Sequence, residues 1–146
     1  MASLELQGFD SLEDAYQSIA DIPFAVTADA LDAMAEVAMA KIKAQGETMG
    51  VRDPESSVHI LDKITHRKPK QTESGGYALI TFTGSRTRGR GTVTRNAEIA
   101  FVNEYGKRGQ RARPFIGLAM TQNEDEILAP AEKIVGDWIE TTFTQN

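Results

Sequence analysis

"YALITFT", residues 77–83, decides the fold, because it reads as a strand set between two helical stretches. Tyr77, Leu79 and Thr81 alternate with Ala78, Ile80 and Phe82, the period of two that gives a strand two different faces. Upstream, Leu31, Met34, Ala35, Ala38, Met39 and Ile42 recur at helical spacing. Thr27 stands where a cap belongs, and Gly46 suits a left-handed stop. Downstream, Ile127, Leu128, Ala131, Ile134, Val135, Trp138 and Ile139 form the stripe of a last helix after Asn123. Glu124, Asp125 and Glu126 favour its positive end, and Pro130 within the stripe kinks the helix or marks its start. Helices before and after strands define an α+β protein. The expected architecture is a small antiparallel sheet of about three to four strands, packed by an N-terminal helix and C-terminal helices.

The remaining segments fill in around these. Asp10-Ser11-Leu12-Glu13 reads as a capping box for a helix carrying Leu12, Ala15, Tyr16 and Ile19, closed by Pro23. Residues 47–56 read as a loop, Val58 to Thr65 as a strand rich in branched residues, and Lys68 to Gly76 as a polar turn or loop. Residues 84–92, containing Ser85-Arg86-Thr87-Arg88-Gly89-Arg90-Gly91, are expected to be a mobile arginine-rich hairpin tip, with Thr92 to Arg95 returning as strand. Asn96 to Tyr105 suits a strand by composition and a helix by its ends, with Asn96 as cap and Gly106 as stop; the helix is preferred. Pro114 fits the first position of a further helix, with Phe115, Leu118 and Ala119 facing inward.

A chain of 146 residues is expected to be one domain. It has no cysteine, which excludes disulfides, thiol catalysis and thiolate metal sites. The longest uncharged run, the twelve residues Ser74 to Ser85, is too short for a spanning helix. The first basic residue is Lys41, so the basic opening of a secretory signal is missing. A soluble protein made in the cytoplasm, with no membrane partner, is expected. Charge is unevenly placed: residues 1–62 sum to −9, residues 63–113 to +9, and residues 114–146 to −5. Such a chain either closes its charges on itself or carries two opposite faces that orient neighbouring subunits or a polyanion.

Catalysis and metal binding find little support. The two histidines, His59 and His66, are seven apart, an odd spacing that puts them on opposite faces of a strand. No triad, acidic pair, cofactor motif or metal set emerges, so an enzyme is not expected. "GSRTRGRG", residues 84–91, lacks the Gly-Lys-Ser/Thr ending of a phosphate loop. Its arginines could grip phosphates, but the nearest aromatic, Phe82, reads as core, so the stacking platform of single-strand binders is missing. A small nucleic-acid-binding protein using the basic 86–113 segment is the alternative function.

"NEYGKRGQRARPF", residues 103–115, sets four cations within seven residues between Glu104-Tyr105-Gly106 and an Arg-Pro-Phe corner. Together with its flanks, "AEIAFVNEYGKRGQRARPFIGLA" resembles the neck and tail-completion proteins of long-tailed bacteriophages, prophages and phage-tail-like bacteriocins. The matching residues are Glu104, Tyr105, Gly106, Ala112, Arg113, Pro114, Phe115 and Ala119, over about twenty-five positions; Gly117 departs from the larger or basic residue common there. The resemblance implies a virion structural protein without enzymatic activity or cofactor. It would form a ring, expected to be a hexamer, that completes the tail and joins it to the head. Partners would be head-connector or stopper proteins and the tail tube or its terminator, with passing DNA as a further contact. The protein would reside in the neck of the virion after assembly in the host cytoplasm. Glu104, Tyr105, Gly106, Arg113, Pro114 and Phe115 would form a subunit interface or a structural corner, with Arg113 either holding a carboxylate, such as Glu104 of the same subunit or the next, or only capping local structure. Arg86, Arg88, Arg90 and Arg95 would form a basic arm that orders on assembly.

Overall fold

The computed structural model describes residues 21–52 and 59–144. The capping box at 10–13 and the helix expected after it lie outside them. The order is α1 (Phe24–Thr48), a 3-10 turn (Ile60–Lys63), β1 (Ile64–His66), β2 (Lys70–Thr72), β3 (Gly75–Tyr77), β4 (Ile80–Phe82), β5 (Ser85–Arg88) and β6 (Thr92–Arg95). There follow α2 (Asn96–Tyr105), α3 (Phe115–Gln122) and α4 (Glu124–Thr144). The α+β class expected from the sequence holds, with the six strands arranged as three antiparallel pairs.

α1 starts earlier and ends later than its spacing suggests. Pro23 precedes its first residue, and Thr27, the expected cap, lies inside it. Its stop is Gly50 at φ 69°, not Gly46. Val51 N donates to Gly46 O at 2.9 Å and Gly50 N to Glu47 O at 3.2 Å, the paired bonds of a Schellman ending. Gly46 serves packing instead: a Cβ there would stand 2.5 Å from Leu61 and 3.2 Å from Phe115. Val58–Thr65 is not one strand, since Ile60 and Leu61 are turned into the core by the 3-10 turn.

Lys68–Gly76, expected as a turn or loop, contains the β2–β3 hairpin, and "YALITFT" is divided between β3 and β4. The register explains the division. Ile64, Thr65 and His66 face Phe82, Thr81 and Ile80, while Lys70 faces Tyr77. Arg67 N donates to Leu79 O, so Lys68 and Pro69 oppose the single residue Ala78. This is a bulge, placed where proline lacks the amide a ladder needs. The two pairs are therefore one bent ribbon. Residues 85–88, expected in a hairpin tip, are strand paired with β6, and the tip narrows to Gly89–Gly91.

α1 packs along α4 and α3, and α2 covers β4, β6, the 3-10 turn and α3. Between them lie Ile42, Val51, Ile60, Leu61, Phe82, Ile99, Ala100, Phe115 and Ala119, the buried apolar cluster. Asn96 does not cap α2, as its spacing suggested. It is buried, donating Nδ2 to Thr83 O at 2.8 Å and its amide to Gly84 O at 3.0 Å, and so ties the helix start to the end of β4.

Candidate functional site

Residues 103–115 fold as a corner whose bonds can be followed one by one. α2 stops at Gly106, with φ 77° and ψ 176°, a conformation essentially confined to glycine. Lys107 and Gln110 then exchange two backbone hydrogen bonds, closing a tight turn with Gly109 at φ 82°. The chain returns past α2, where Arg113 N donates to Asn103 O at 2.6 Å. Pro114, at φ −75° and ψ 64°, makes an inverse γ-turn, with Phe115 N donating to Arg113 O at 2.7 Å. α3 thus begins at Phe115, one residue after the expected Pro114.

The amides of a helix's first turn have no partner within it; at α3 the cap position is Pro114, which has no N–H, and the three that remain each find one. Phe115 N uses Arg113 O, while Leu118 N makes the first regular helical bond, to Pro114 O at 3.1 Å. The other two go to one side chain on the preceding helix: Glu104 Oε2 accepts from Ile116 N at 2.8 Å and Oε1 from Gly117 N at 2.9 Å. A carboxylate at a helix N-terminus also opposes its dipole. Gly117 makes room for it, because a Cβ there would meet Oε1 at 3.0 Å.

Within the subunit Arg113 and Glu104 therefore do not pair. Arg113 Nη1 donates to Gly50 O at 2.8 Å, tying the corner to the exit of α1. Phe115 is fully buried and meets Phe82 edge to face, ring centroids 6.0 Å apart. Glu104→Ala leaves two helix amides without their acceptor and is expected to cost about 1–2 kcal/mol. Glu104→Gln, with one oxygen, should lose about half as much. Chemical denaturation measures both, and equal stability of all three proteins would contradict the capping role.

Tyr105 behaves differently from its neighbours. It is 70% exposed and lies against Phe101, itself 61% exposed, at a centroid distance of 4.7 Å. Ile99, Ala100 and Asn103 face the core, so helical geometry sends 101 and 105 outward together. The sequence reading named Tyr105 but missed Phe101; the four-residue spacing of two aromatics opposite an Ile-Ala-Asn core face was the available signal. A shallow groove beside the pair is lined by Arg95, Ala97, Glu98, Phe101 and Val102.

The basic arm is spread over the β5–β6 hairpin. Arg86 is half-buried, while Arg90 and Arg95 are exposed; Arg88 ends β5, facing Thr92. Arg90 has φ 70°, which makes it the one non-glycine in the left-handed region among the described residues. Arg86 and Arg113 also line a cavity of about 320 Å³ with Arg52, His59, Gln110 and apolar Ile99. Its cations are engaged: Arg113 with Gly50 O, Arg86 as well, and Arg52 with two carboxylates.

Arg52 forks onto Asp62 with two bonds of 3.0 Å and donates Nε to Glu47 at 2.8 Å. These bonds hold the Asp62 carboxyl far below the usual carboxylate range, helped by Lys43, and lower that of Glu47 as well. Both carboxyls are depressed in the fold, so the cluster helps stability at neutral pH and is lost as pH falls below the ordinary carboxylate range. His66 sits against α1, with Nε2 3.1 Å from Glu36 and Nδ1 3.5 Å from Asp32.

Among the described residues, no three His, Asp or Glu side chains form a metal-holding group, and no helix is long and apolar enough to cross a membrane. No protein-family model, curated protein or solved structure matches the chain.

Proposed function

We propose that the chain is a non-enzymatic structural subunit of the neck of a tailed bacteriophage or phage-tail-like particle. There it joins a ring, a hexamer on the family's pattern, that completes the tail and links it to the head connector. Head-connector or stopper proteins would lie on one side, and the tail tube or its terminator on the other, in the assembled virion. One observation carries the reading: the corner uses Glu104, Gly106, Arg113, Pro114 and Phe115 to hold its own shape, and it presents Tyr105 with Phe101 outward beside the arginine hairpin. A rigid corner displaying an aromatic pair and cations suits recognition of another protein, where Tyr, Phe and Arg are enriched. Arg90 strengthens it: a left-handed position favours glycine, so an arginine there is held at a backbone cost that a role for its charge would explain.

Reversing the charge of the arm tests the reading. Arg88→Glu with Arg90→Glu is expected to abolish ring formation in sedimentation velocity while leaving the thermal melting curve unchanged. Rings that form as before would contradict it.

A second reading, single-stranded nucleic acid, gains from the structure what the sequence lacked. Phe101 and Tyr105 are exposed aromatics near Arg95 and could stack bases. It would show as binding that falls steeply with salt.

A further inference from the structure

We infer that the outward face of α2, centred on Phe101 and Tyr105 and edged by Arg95, is the face on which a second copy of this chain docks; the inference rests on the ring reading. A head-to-tail ring requires two different complementary surfaces on each subunit, and this chain carries both kinds. On the first, Ala97, Phe101 and Tyr105 recur every four residues along α2, and all three are exposed. Val93, 64% exposed on β6, adds apolar area on the strand that packs against this helix. The rim is cationic: Arg95 precedes the helix, and exposed Lys107, Arg108 and Arg111 follow it in the turn.

The second surface lies on other elements. α4 packs on α1 and α3, and opens with Glu124, Asp125 and Glu126, all exposed. Of these, Glu126 pairs with Lys41 of its own chain, which leaves Glu124 and Asp125 to meet the cations of a neighbour. An aromatic centre that excludes water, ringed by charges opposite to those the next copy offers, gives both affinity and orientation.

The experiment compares the full chain with the double variant Phe101→Ser, Tyr105→Ser by sedimentation velocity over a concentration series. Both rings are largely in solvent, so the melting curve should stay in place. Self-association is expected to weaken about tenfold or more, as loss of interface anchors does. Arg95→Glu, which leaves the apolar face intact, should weaken it as well and guards against a folding defect in the first variant. If the variants assemble like the parent, this face is not the contact and the inference falls while the ring reading stands. If the parent itself remains monomeric at every concentration, the ring reading falls and takes the inference with it. If the double variant assembles normally but loses a fluorescent single-stranded oligonucleotide that the parent binds, the occupant is nucleic acid and the inference is overturned.

Discussion

Replacing Phe115 with alanine is expected to cost the fold about 3–5 kcal/mol, as deletion of a large core aromatic does. Phe115 has no exposed surface and stands edge-on to Phe82. Its ring also lies 3.2 Å from where a Cβ on Gly46 would be, so α1 has been brought close to it by a missing side chain. The space cannot be refilled by a small shift. α1, β4 and α3 all meet at this point, and each is held by its own hydrogen bonds. A domain of this size has about 5–15 kcal/mol of total stability, so the loss is large, and the melting temperature should fall by roughly 10 °C. Calorimetry or urea titration measures it. A loss under about 1 kcal/mol would mean that Phe115 is not the anchor of the corner.

The second large effect is expected at Gly106. Its φ of 77° with ψ of 176° is strained for any residue with a Cβ, at about 1–3 kcal/mol. An added methyl would also meet backbone atoms, Ala112 N at 2.8 Å and Gln110 O at 2.9 Å. Backbone cannot swing aside as a side chain can, so crowding adds about 1–3 kcal/mol. Gly106→Ala should therefore lose roughly 2–6 kcal/mol in total. The turn at 107–110 would have to move, and with it the path that brings Arg113 to Asn103 and Glu104 to α3. Loss of the Ile116 and Gly117 amide protection in hydrogen exchange, beyond the global destabilisation, would mark that coupling. A variant as stable as the parent would show that the corner tolerates another backbone path.

The fold class was legible because α1 and α4 carry long apolar stripes and the ribbon carries branched and aromatic residues, and these patterns follow directly from helix and strand periods. The helix expected at Asn96–Tyr105 is present, with Gly106 as its stop. What escaped was decided by partners distant in sequence. Gly46 looks like a stop until Leu61 and Phe115 arrive against it, while Gly50 is placed as the stop by the Schellman bonds. "YALITFT" reads as one strand until Pro69 forces a bulge in its partner. In the candidate site, Gly106, Pro114 and Phe115 were readable from local backbone chemistry. The partners of Glu104 and Arg113 were not: one caps a helix from twelve residues upstream, and the other reaches a carbonyl sixty-three residues away. The sequence leaves Arg113 either pairing with a carboxylate or capping local structure, and within the subunit its bond goes to a backbone carbonyl.

Electron microscopy of the purified 146-residue chain tests the central claim most directly. The account predicts closed rings of six subunits that form without nucleic acid. Monomers at every concentration that instead coat single-stranded DNA, and detach steeply with added salt, would contradict it.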